Sequence, residues 1–297
     1  MMQENLQNVL TQPSATLSSS GISVDMLRLD LLHPVVSGNK WFKLKEYLSE
    51  AREQQKKVLA TFGGAYSNHI VATAFAAKES GMQSIGFIRG EPGKFPSHSL
   101  LTAESYGMEI RYISRNAFRD TAQIMKENDH PSIYWIREGG YGILGAKGAA
   151  TILNLVSLSD YSDIACATGT GTMLAGLLKS ALPNQRLTGI PVLNNADTIR
   201  NEIHQLLTTA ERQKNFSLQA GYTFGGYARH TPLLLESMRS LWEAERIPSD
   251  FVYTGKLFFA VKDLVSKGYF AEKSKVLVIH SGGLQGNASL PLNTLPF

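Results

Sequence analysis

The chain has 297 residues, of which 43% are apolar and 18% charged, so it can bury a large core and wholesale disorder is excluded. Its net charge of +4, from 29 basic and 25 acidic side chains, is small and not gathered into blocks. A nucleic-acid-binding surface is therefore not indicated, although the excess would suit an anionic phosphate or carboxylate ligand. A chain of this length suits two packed subdomains.

Cysteine usage and hydropathy bear on location. The single cysteine, Cys166, cannot form an intrachain disulfide, which favours a reducing compartment. Residues 1–20 contain neither a basic n-region nor an apolar h-region, so we predict no signal peptide. No apolar run approaches the roughly 20 residues needed to span a bilayer. We therefore expect a cytoplasmic protein with no membrane partner.

Short apolar runs alternate with glycine turns and helical patterns along the whole chain. Strands or extended segments are predicted at 22–29, 58–62, 85–88, 109–113, 133–136, 164–167, 187–192, 251–253 and 275–280. Helices are predicted at 40–50, 70–78, 173–181, 196–212, 232–244 and 257–266. Alternation of strands and helices implies crossover connections and mainly parallel sheets, so the predicted class is α/β. No linker marks a domain boundary, so composition alone does not divide the chain.

Glycine and threonine alternate at 168–172, between a predicted strand and a predicted helix. In open α/β sheets, ligands bind beyond the carboxyl ends of strands, where glycine loops lead into helices. Such a loop offers closely spaced N–H groups and hydroxyls with a helix N-terminus behind them, as a phosphate requires. A plain strand–helix turn is the alternative. A Walker A loop is excluded because no Gly-Lys-Ser/Thr follows.

Residues 140–145 match G-x-G-x-x-G after a predicted strand, so a dinucleotide site of the Rossmann type is a competing interpretation. That fingerprint also needs an acidic residue at the end of the next strand, about 20 residues further on. Asp160 and Asp163 lie at that distance but precede the strand. The sequence therefore disfavours a dinucleotide site without removing it.

Three other polar features have simple interpretations. Ser67 lies between a strand and a helix outside any G-x-S-x-G context, so an N-cap is the simpler role. The seven histidines form no H-x-x-x-H pair or grouping with carboxylates, so no metal site is expected. Cys166 lies inside an apolar strand and is expected to pack in the core.

Lys40 begins a predicted helix within Ser-Gly-Asn-Lys-Trp-Phe-Lys-Leu at 37–44. A lysine at a helix start is usually solvated. Here two aromatic residues follow directly, and Lys43 lies one helical turn along. A lysine that forms a Schiff base must be partly desolvated so that its amine is available unprotonated. Lys40 is therefore a candidate for that role.

Motifs after Ser-Gly-Asn-Lys-x-x-Lys-Leu strengthen this interpretation. They are Tyr66-Ser67-Asn68-His69, the loop 168–172, Gly225-Gly226-Tyr227, Val252-Tyr253-Thr254-Gly255-Lys256 and His280-Ser281-Gly282-Gly283. Each is weak alone, but five in this order are specific. The sequence resembles the 1-aminocyclopropane-1-carboxylate (ACC) deaminase/D-cysteine desulfhydrase family of pyridoxal-phosphate (PLP) enzymes, from about residue 30 to residue 287.

The resemblance implies PLP as the cofactor and assigns the residues that would bind it. Lys40 would hold PLP through a Schiff base, and Asn68 would hydrogen-bond the pyridine 3′-oxygen. Thr254 would face the pyridine nitrogen. The phosphate would be held by Lys43 and the anion loop, namely Gly169, Thr170, Gly171 and Thr172.

The resemblance also implies catalytic and substrate-binding residues. Ser67 would meet a small amino-acid substrate, and Tyr227 and Tyr253 would flank its reacting carbon. Substrate contacts would further include Asn68, His69 and Ser281. The implied fold is the two-domain tryptophan-synthase-β-like PLP fold (fold type II). Its large PLP-binding domain would comprise residues 1–45 plus 146–297, and the small inserted α/β domain residues 46–145.

Two positions distinguish the branches of the family. ACC deaminases resemble one another in carrying Glu after the tyrosine of the Val-Tyr segment and Leu before the final Gly-Gly, whereas D-cysteine desulfhydrases carry hydroxyl residues. Thr254 and Ser281 favour D-cysteine desulfhydrase, although Ser281 replaces the threonine usual there. ACC deaminase, or a PLP-binding protein with little turnover, remains the alternative, and a homodimer remains open.

Overall fold

A computed structural model describes residues 6–297 as two sheets flanked by helices. The strands are β1 (Thr11–Pro13), β2 (Ser23–Arg28), β3 (Val58–Gly63), β4 (Gln83–Arg89), β5 (Met108–Ile113), β6 (Ile133–Ile136), β7 (Asp163–Thr168), β8 (Arg186–Pro191), β9 (Phe216–Leu218) and β10 (Lys275–His280). The α-helices are α1 (Asn39–Glu53), α2 (Asn68–Glu79), α3 (His98–Ser105), α4 (Thr121–Glu127), α5 (Ile143–Ala150), α6 (Thr172–Ser180), α7 (Ala196–Gln205), α8 (Pro232–Glu245) and α9 (Thr254–Ser266).

The larger sheet has six strands in the order β1-β2-β10-β7-β8-β9, and only the β1–β2 pair is antiparallel. Its central strands are buried along almost their whole length, as expected for a parallel sheet covered on both faces. His280 pairs with Arg28, and Ile279 pairs with Cys166. The loops after β2, β7 and β10 therefore leave the same edge of this sheet.

The smaller sheet is parallel throughout, in the order β5-β4-β3-β6. Phe62 on β3 packs against Phe87 and stacks on Trp135, which forms the centre of one face. Thr61 pairs with Ile136, so the β3–α2 loop and the segment after β6 leave one edge together. That edge carries the segment with Ser67, Asn68 and His69.

Backbone proximity accounts for the G-x-G-x-x-G match at 140–145. A Cβ atom on Gly145 would lie 2.1 Å from the carbonyl oxygen of Gly140, so only glycine permits this tight turn into α5. The next strand, β7, ends at Thr168 without an acidic residue. Packing therefore explains these glycines, and the second feature of a dinucleotide site is missing.

The predicted α/β class with mainly parallel sheets is confirmed. The predicted strand at 251–253 is wrong: this segment is a turn that leads into α9, because the carboxylate of Asp250 accepts hydrogen bonds from the N–H groups of Tyr253 and Thr254. The predicted helix at 196–212 ends earlier, at Gln205. Helices α3 and α4 and the short strands β1 and β9 were not predicted, and α5 was predicted only as a helix following the glycine motif at 140–145.

The strands of the smaller sheet all fall within 46–145, and those of the larger sheet fall outside that range. Helices α1 and α5 continue through the predicted boundaries at 45/46 and 145/146. The exact domain bounds thus stay a prediction, and the first five residues of the predicted large domain lie outside the described part. Within residues 6–297, no helix is long and apolar enough to cross a membrane.

Candidate active site

A cleft of about 1390 Å³ opens where the carboxyl edges of the two sheets meet. Eleven of the residues predicted from the sequence line it: Lys40, Lys43, Ser67, Asn68, His69, Gly169, Thr170, Gly171, Tyr227, Tyr253 and Ser281. Two predicted residues, Thr172 and Thr254, do not line it and are fully buried beside it. The fold therefore gathers segments separated by more than 200 residues into one cleft, as the carboxyl edges of α/β sheets commonly do.

Lys40 lies in the first turn of α1 and lines the cleft, and its Nζ is 3.3 Å from Asn39 Oδ1. Burial lowers the pKa of Lys40 to about 8, and the negative charge of Asp250 opposes that shift. Burial disfavours the ammonium form, so an appreciable fraction of Lys40 is the free amine near neutral pH. This is the property that a Schiff-base lysine needs.

Lys43 lies one turn along α1 and is 4% exposed. Its Nζ donates to the carbonyl oxygen of Gly139 at 3.3 Å, and Gly139 lies against the side chain of Thr170. Burial first, and the neighbouring charge of Lys40 second, lower the pKa of Lys43 well below its usual value. Burial therefore disfavours the ammonium form of Lys43, and an anion bound next to it would stabilise that form.

The anion loop follows β7 and leads into α6. Gly171, with a φ of +78°, is the N-cap residue of α6, and Thr172 is the first residue of that helix. The hydroxyls of Thr170 and Thr172 lie 2.9 Å apart, and α6 begins directly behind them. First-turn N–H groups of a helix have no partner within that helix, and the helix dipole favours an anion there. Together with Lys43, this arrangement fits a phosphate group.

Asn68 and His69 begin α2, and each presents a buried acceptor without a partner, Asn68 Oδ1 and His69 Nδ1. The side-chain amide of Asn68 donates to Gly283 O at 3.2 Å. The hydroxyl of Thr61 donates to Ile136 O, so it accepts from His69 Nε2 and leaves Nδ1 unprotonated. Burial lowers the pKa of His69 well below its usual range, which keeps the ring neutral. Unpaired buried acceptors cost free energy, so they indicate a ligand with donor groups.

Ser67 occupies the N-cap position of α2, but its side chain makes no capping hydrogen bond. It lines the cleft instead. An N-cap serine normally stabilises a helix by accepting a hydrogen bond from a backbone N–H of the first turn. The simple capping role that the sequence suggested for Ser67 is therefore wrong, and its hydroxyl is available to a substrate.

Tyr227 and Tyr253 approach from separate segments, with their hydroxyl oxygens 3.5 Å apart and their rings edge-to-face. Desolvation in the cleft raises the pKa of both phenols. Both are therefore protonated at neutral pH and can donate a hydrogen bond or a proton. Both line the cleft, as does the loop at 281–283.

Asp250 is a buried carboxylate that sequence reasoning missed. It accepts hydrogen bonds from the N–H groups of Tyr253 and Thr254 and from the Thr254 hydroxyl, and so orients the start of α9. Burial raises its pKa to about 6, so it is ionised at pH 7 and attracts the charge on Lys40. Asp250 lies four residues before the first residue of α9. An Asp shortly before a helix is a capping signal that could have identified it.

The loop after β10 is held by His280, which is fully buried. His280 Nε2 donates to Pro248 O at 2.7 Å, which leaves Nδ1 to accept from the N–H of Gly282. Burial lowers the pKa of His280, so this neutral tautomer persists at pH 7. Ser281 then lines the cleft, and its carbonyl oxygen accepts from the N–H of Asn39, the residue before Lys40.

The family follows from sequence comparison. Residues 15–282 match the model of the "pyridoxal-phosphate dependent enzyme" family. The chain belongs to this family. The family is PLP-dependent, and the similarity to its members covers nearly the whole chain. PLP is therefore the cofactor of this chain, and the predicted family and cofactor are confirmed.

Two relatives of this PLP enzyme represent the two predicted branches. A putative 1-aminocyclopropane-1-carboxylate deaminase from Pyrococcus horikoshii is 30% identical, over 90% of this chain and 86% of its own. A D-cysteine desulfhydrase from Yersinia pestis is 25% identical, over 89% and 87%. A crystal structure of an ACC deaminase homologue superposes with a TM-score of 0.77 at 27% identity, covering 94% of this chain and 90% of that one. The chain is thus a PLP-dependent enzyme with the predicted fold.

Proposed function

We propose that this PLP enzyme is a D-cysteine desulfhydrase, which converts D-cysteine and water into pyruvate, sulfide and ammonia. The arrangement around Lys40 supports a deaminating reaction: a desolvated amine faces a cleft that also holds an anion loop, unpaired acceptors and two protonated tyrosines. The observation that carries the choice of D-cysteine is Ser281, a hydroxyl residue that lines the cleft at the position that differs between the family's branches.

PLP, when bound, supplies an electron sink for the charge that develops on the substrate's Cα. Lys43, Gly169, Thr170, Gly171 and Thr172 would hold its phosphate, and Asn68 its 3′-oxygen. The role of Thr254 toward the ring nitrogen stays a proposal, since its hydroxyl already donates to Asp250 Oδ1 and accepts from the N–H of Asp250.

The chain's own groups then carry the protons. Lys40 Nζ takes the proton from Cα, which a free amine at neutral pH can do. The phenol of Tyr253, paired with that of Tyr227, donates a proton to the departing sulfur. The hydroxyl of Ser67, free of a capping bond, holds the substrate's carboxylate. The Cβ–S bond breaks as the Cα–H electrons form the Cα=Cβ bond, and water then releases ammonia.

ACC deaminase is the second candidate, because the Pyrococcus relative at 30% identity carries that name. It would open the cyclopropane ring of ACC to give 2-oxobutanoate and ammonia. The same lysine, anion loop and tyrosines would serve it, so the shared parts of the cleft do not separate the two reactions. The separation depends on the residues that face the side chain of the substrate.

A coupled assay for keto acids tests the proposal on D-cysteine, L-cysteine, D-serine, β-chloro-D-alanine and ACC, with sulfide measured in parallel. We expect pyruvate and sulfide in equal amounts from D-cysteine. 2-Oxobutanoate from ACC as the main product would favour the second candidate. Bound PLP without either keto acid would favour a carrier with little turnover.

Borohydride reduction tests the cofactor linkage independently of substrate. We expect the reduced cofactor on Lys40 when the protein is digested and mapped. The Lys40→Ala variant should lose the label, whereas Lys45→Ala, at an exposed position on the same helix, should keep it. A label on another lysine would remove the basis of the proposed function.

A further inference from the structure

Lys256 is a second buried lysine beside the active site, and the reaction proposed above does not use it. It lies in the first turn of α9 and is fully buried. Its Nζ donates to Thr223 O at 2.8 Å and to Gly226 O at 2.7 Å. Burying an ammonium costs free energy unless strong acceptors satisfy it. A lysine at this position therefore indicates a role that an apolar side chain of the same size would not perform.

The two carbonyl groups belong to a strained loop. Phe224 and Ala228 have φ values of +50° and +52°, which L-residues rarely adopt, and Gly225 and Gly226 between them also have positive φ. A residue in this region costs on the order of 1–3 kcal/mol and persists only where its surroundings hold it. The segment 223–231 contains no strand or α-helix of its own. Besides its own turn hydrogen bonds and the packing of Phe224 on Phe259, the loop is held by the two hydrogen bonds from Lys256.

This restraint acts next to the tyrosine pair. Tyr227 follows Gly226 directly, and Tyr253 immediately precedes the helix that carries Lys256. The two hydroxyls are 3.5 Å apart. Lys256 therefore ties the loop of one tyrosine to the helix of the other, and does so one residue away from Tyr227.

We propose that Lys256 is a positioning residue that holds the hydroxyl of Tyr227 against that of Tyr253 in the active site. The inference rests on the proposed function, in which that pair delivers a proton. It assigns Lys256 no contact with substrate or cofactor, since Lys256 does not line the cleft and its Nζ is directed at the two carbonyls. For the same reason, Lys256 is not a candidate for the Schiff base with PLP, whereas Lys40 is.

The first test compares Lys256→Met with Lys262→Met, an exposed lysine on the same helix. Lys256→Met keeps the volume and removes the donors. We expect kcat to fall about 10- to 100-fold with little change in KM and with the visible absorbance of bound PLP retained. Lys262→Met should match wild type in both. A kcat for Lys256→Met within twofold of wild type would overturn the proposal.

A double-mutant cycle asks whether Lys256 acts through Tyr227. In a Tyr227→Phe background the hydroxyl to be positioned is gone, so Lys256→Met should lower kcat less than twofold further. Full multiplication of the two losses would show independent actions and overturn the proposal. General damage to the fold predicts that multiplication, so the cycle separates positioning from stability.

Amide hydrogen exchange gives a readout that needs no turnover. In the purified enzyme, peptides covering 223–229 should exchange at least tenfold faster in Lys256→Met, while those of β7 and β10 stay as in wild type. Unchanged exchange at 223–229 would contradict the proposed positioning role of Lys256 even if activity fell. A wild-type protein without turnover would count against the proposed function, yet this experiment would still decide the role of Lys256.

Should Lys256→Met fail to fold, Lys256→Cys provides the same comparison. Aminoethylation of that cysteine in unfolded protein, followed by refolding, restores an ammonium of nearly the original length. We expect the untreated variant to show low kcat and the treated one to recover most of it. Both this variant and the control Lys262→Cys carry Cys166→Ala, so that only the introduced cysteine is modified. The control should keep its activity before and after treatment, and no recovery in treated Lys256→Cys beside an active treated control would overturn the proposal.

Discussion

The carbonyl oxygen of Ser281 lies 1.8 Å from where a Cβ atom on Gly38 would be, so the backbone before α1 and the loop after β10 are interlocked. The N–H of Asn39 also donates to Ser281 O at 3.3 Å. Residue 40 follows this contact by two positions. The approach therefore sets the distance between Lys40 and the loop that presents Ser281 to the cleft.

Substitution of Gly38 by alanine should test this contact. Gly38 has a φ of +67°, and Gly81 has a nearly identical φ of +66° with no atom near its Cβ position. Gly81→Ala should cost roughly 1–2 kcal/mol for the left-handed backbone alone. Gly38→Ala should cost about 1–3 kcal/mol more, because the ψ of −148° at Gly38 places it in a region that essentially only glycine adopts and because a Cβ forces two backbone segments apart. Urea unfolding of both variants gives the difference, and PLP affinity should fall only for Gly38→Ala. Equal stabilities would show that the loops separate freely.

Binding of PLP to cofactor-free protein should depend on pH through Lys40. Only the neutral amine attacks the aldehyde of PLP, and burial lowers the pKa of Lys40 to about 8. The rate of reconstitution should therefore rise about tenfold per pH unit below 8 and level off above it. An ordinary lysine would show this rise near 10.5. Stopped-flow absorbance between pH 6 and pH 10 measures the midpoint, and a midpoint near 10 would show that Lys40 is not desolvated.

Asp250→Asn should move that midpoint to lower pH. The charge of Asp250 raises the pKa of Lys40, in opposition to burial. Its own pKa is raised to about 6, so it is ionised at pH 8 and the substitution removes a full negative charge there. Asp129→Asn, at an exposed position after α4, makes the same change in net charge and should leave the midpoint unchanged. A midpoint that rises in Asp250→Asn would contradict the assigned interaction.

Ser67→Ala and Tyr253→Phe should lower turnover far more than cofactor binding. Tyr253→Phe removes a positioned proton-transfer group, which typically costs about 10²–10⁴-fold in rate. Ser67→Ala removes the hydroxyl proposed to hold the substrate's carboxylate and so disturbs the position of the reacting atoms. Neither side chain is needed to hold the phosphate, so the visible spectrum of bound PLP should persist. Tyr106→Phe, where the ring packs against Phe75, serves as the control and should retain wild-type turnover. Near-normal turnover in Ser67→Ala and Tyr253→Phe would remove both from the proposed mechanism.

Local patterns were enough to predict most of the fold. Apolar runs such as those of β3, β7 and β10 are buried strands, and the glycine loop after β7 does lead into α6. The prediction failed at 251–253, where three apolar or aromatic residues resemble a strand. There the carboxylate of Asp250, the residue directly before this segment, accepts a hydrogen bond from the N–H of Tyr253 and decides the conformation. The spacing of apolar side chains does not indicate such a bond.

Most of the residues that line the cleft were also predicted, through the family resemblance of motifs that the fold brings together there. Asp250 and Lys256 were missed as functional residues for a physical reason. Each acts through hydrogen bonds to backbone groups, those of Asp250 within its own turn and those of Lys256 to carbonyl groups 30 and 33 residues earlier in the chain. A sequence does not show that either charged side chain is buried. Thr254, in contrast, was singled out from the sequence, but its hydrogen bond to Asp250 could not be predicted.

Ser281 decides the last prediction, which concerns the choice between D-cysteine and ACC. Thiolate is a good leaving group from Cβ, whereas opening a cyclopropane ring has no such leaving group and needs a stronger electron sink. A carboxylate beside the pyridine nitrogen would favour its protonated form, and Thr254 adds no such charge. We therefore expect wild type to have the higher kcat/KM for D-cysteine.

Ser281→Leu should shift this preference toward ACC, because it replaces a hydroxyl on the cleft wall with an apolar side chain of the kind that ACC deaminases carry. We expect kcat/KM for D-cysteine to fall at least tenfold and that for ACC to fall less. Ser281→Ala separates loss of the hydroxyl from added bulk. Thr254→Glu is unsuitable, since it would bury a second carboxylate against Asp250. If wild type instead prefers ACC, the branch assignment fails, while the family and the roles of Lys40 and the anion loop stand.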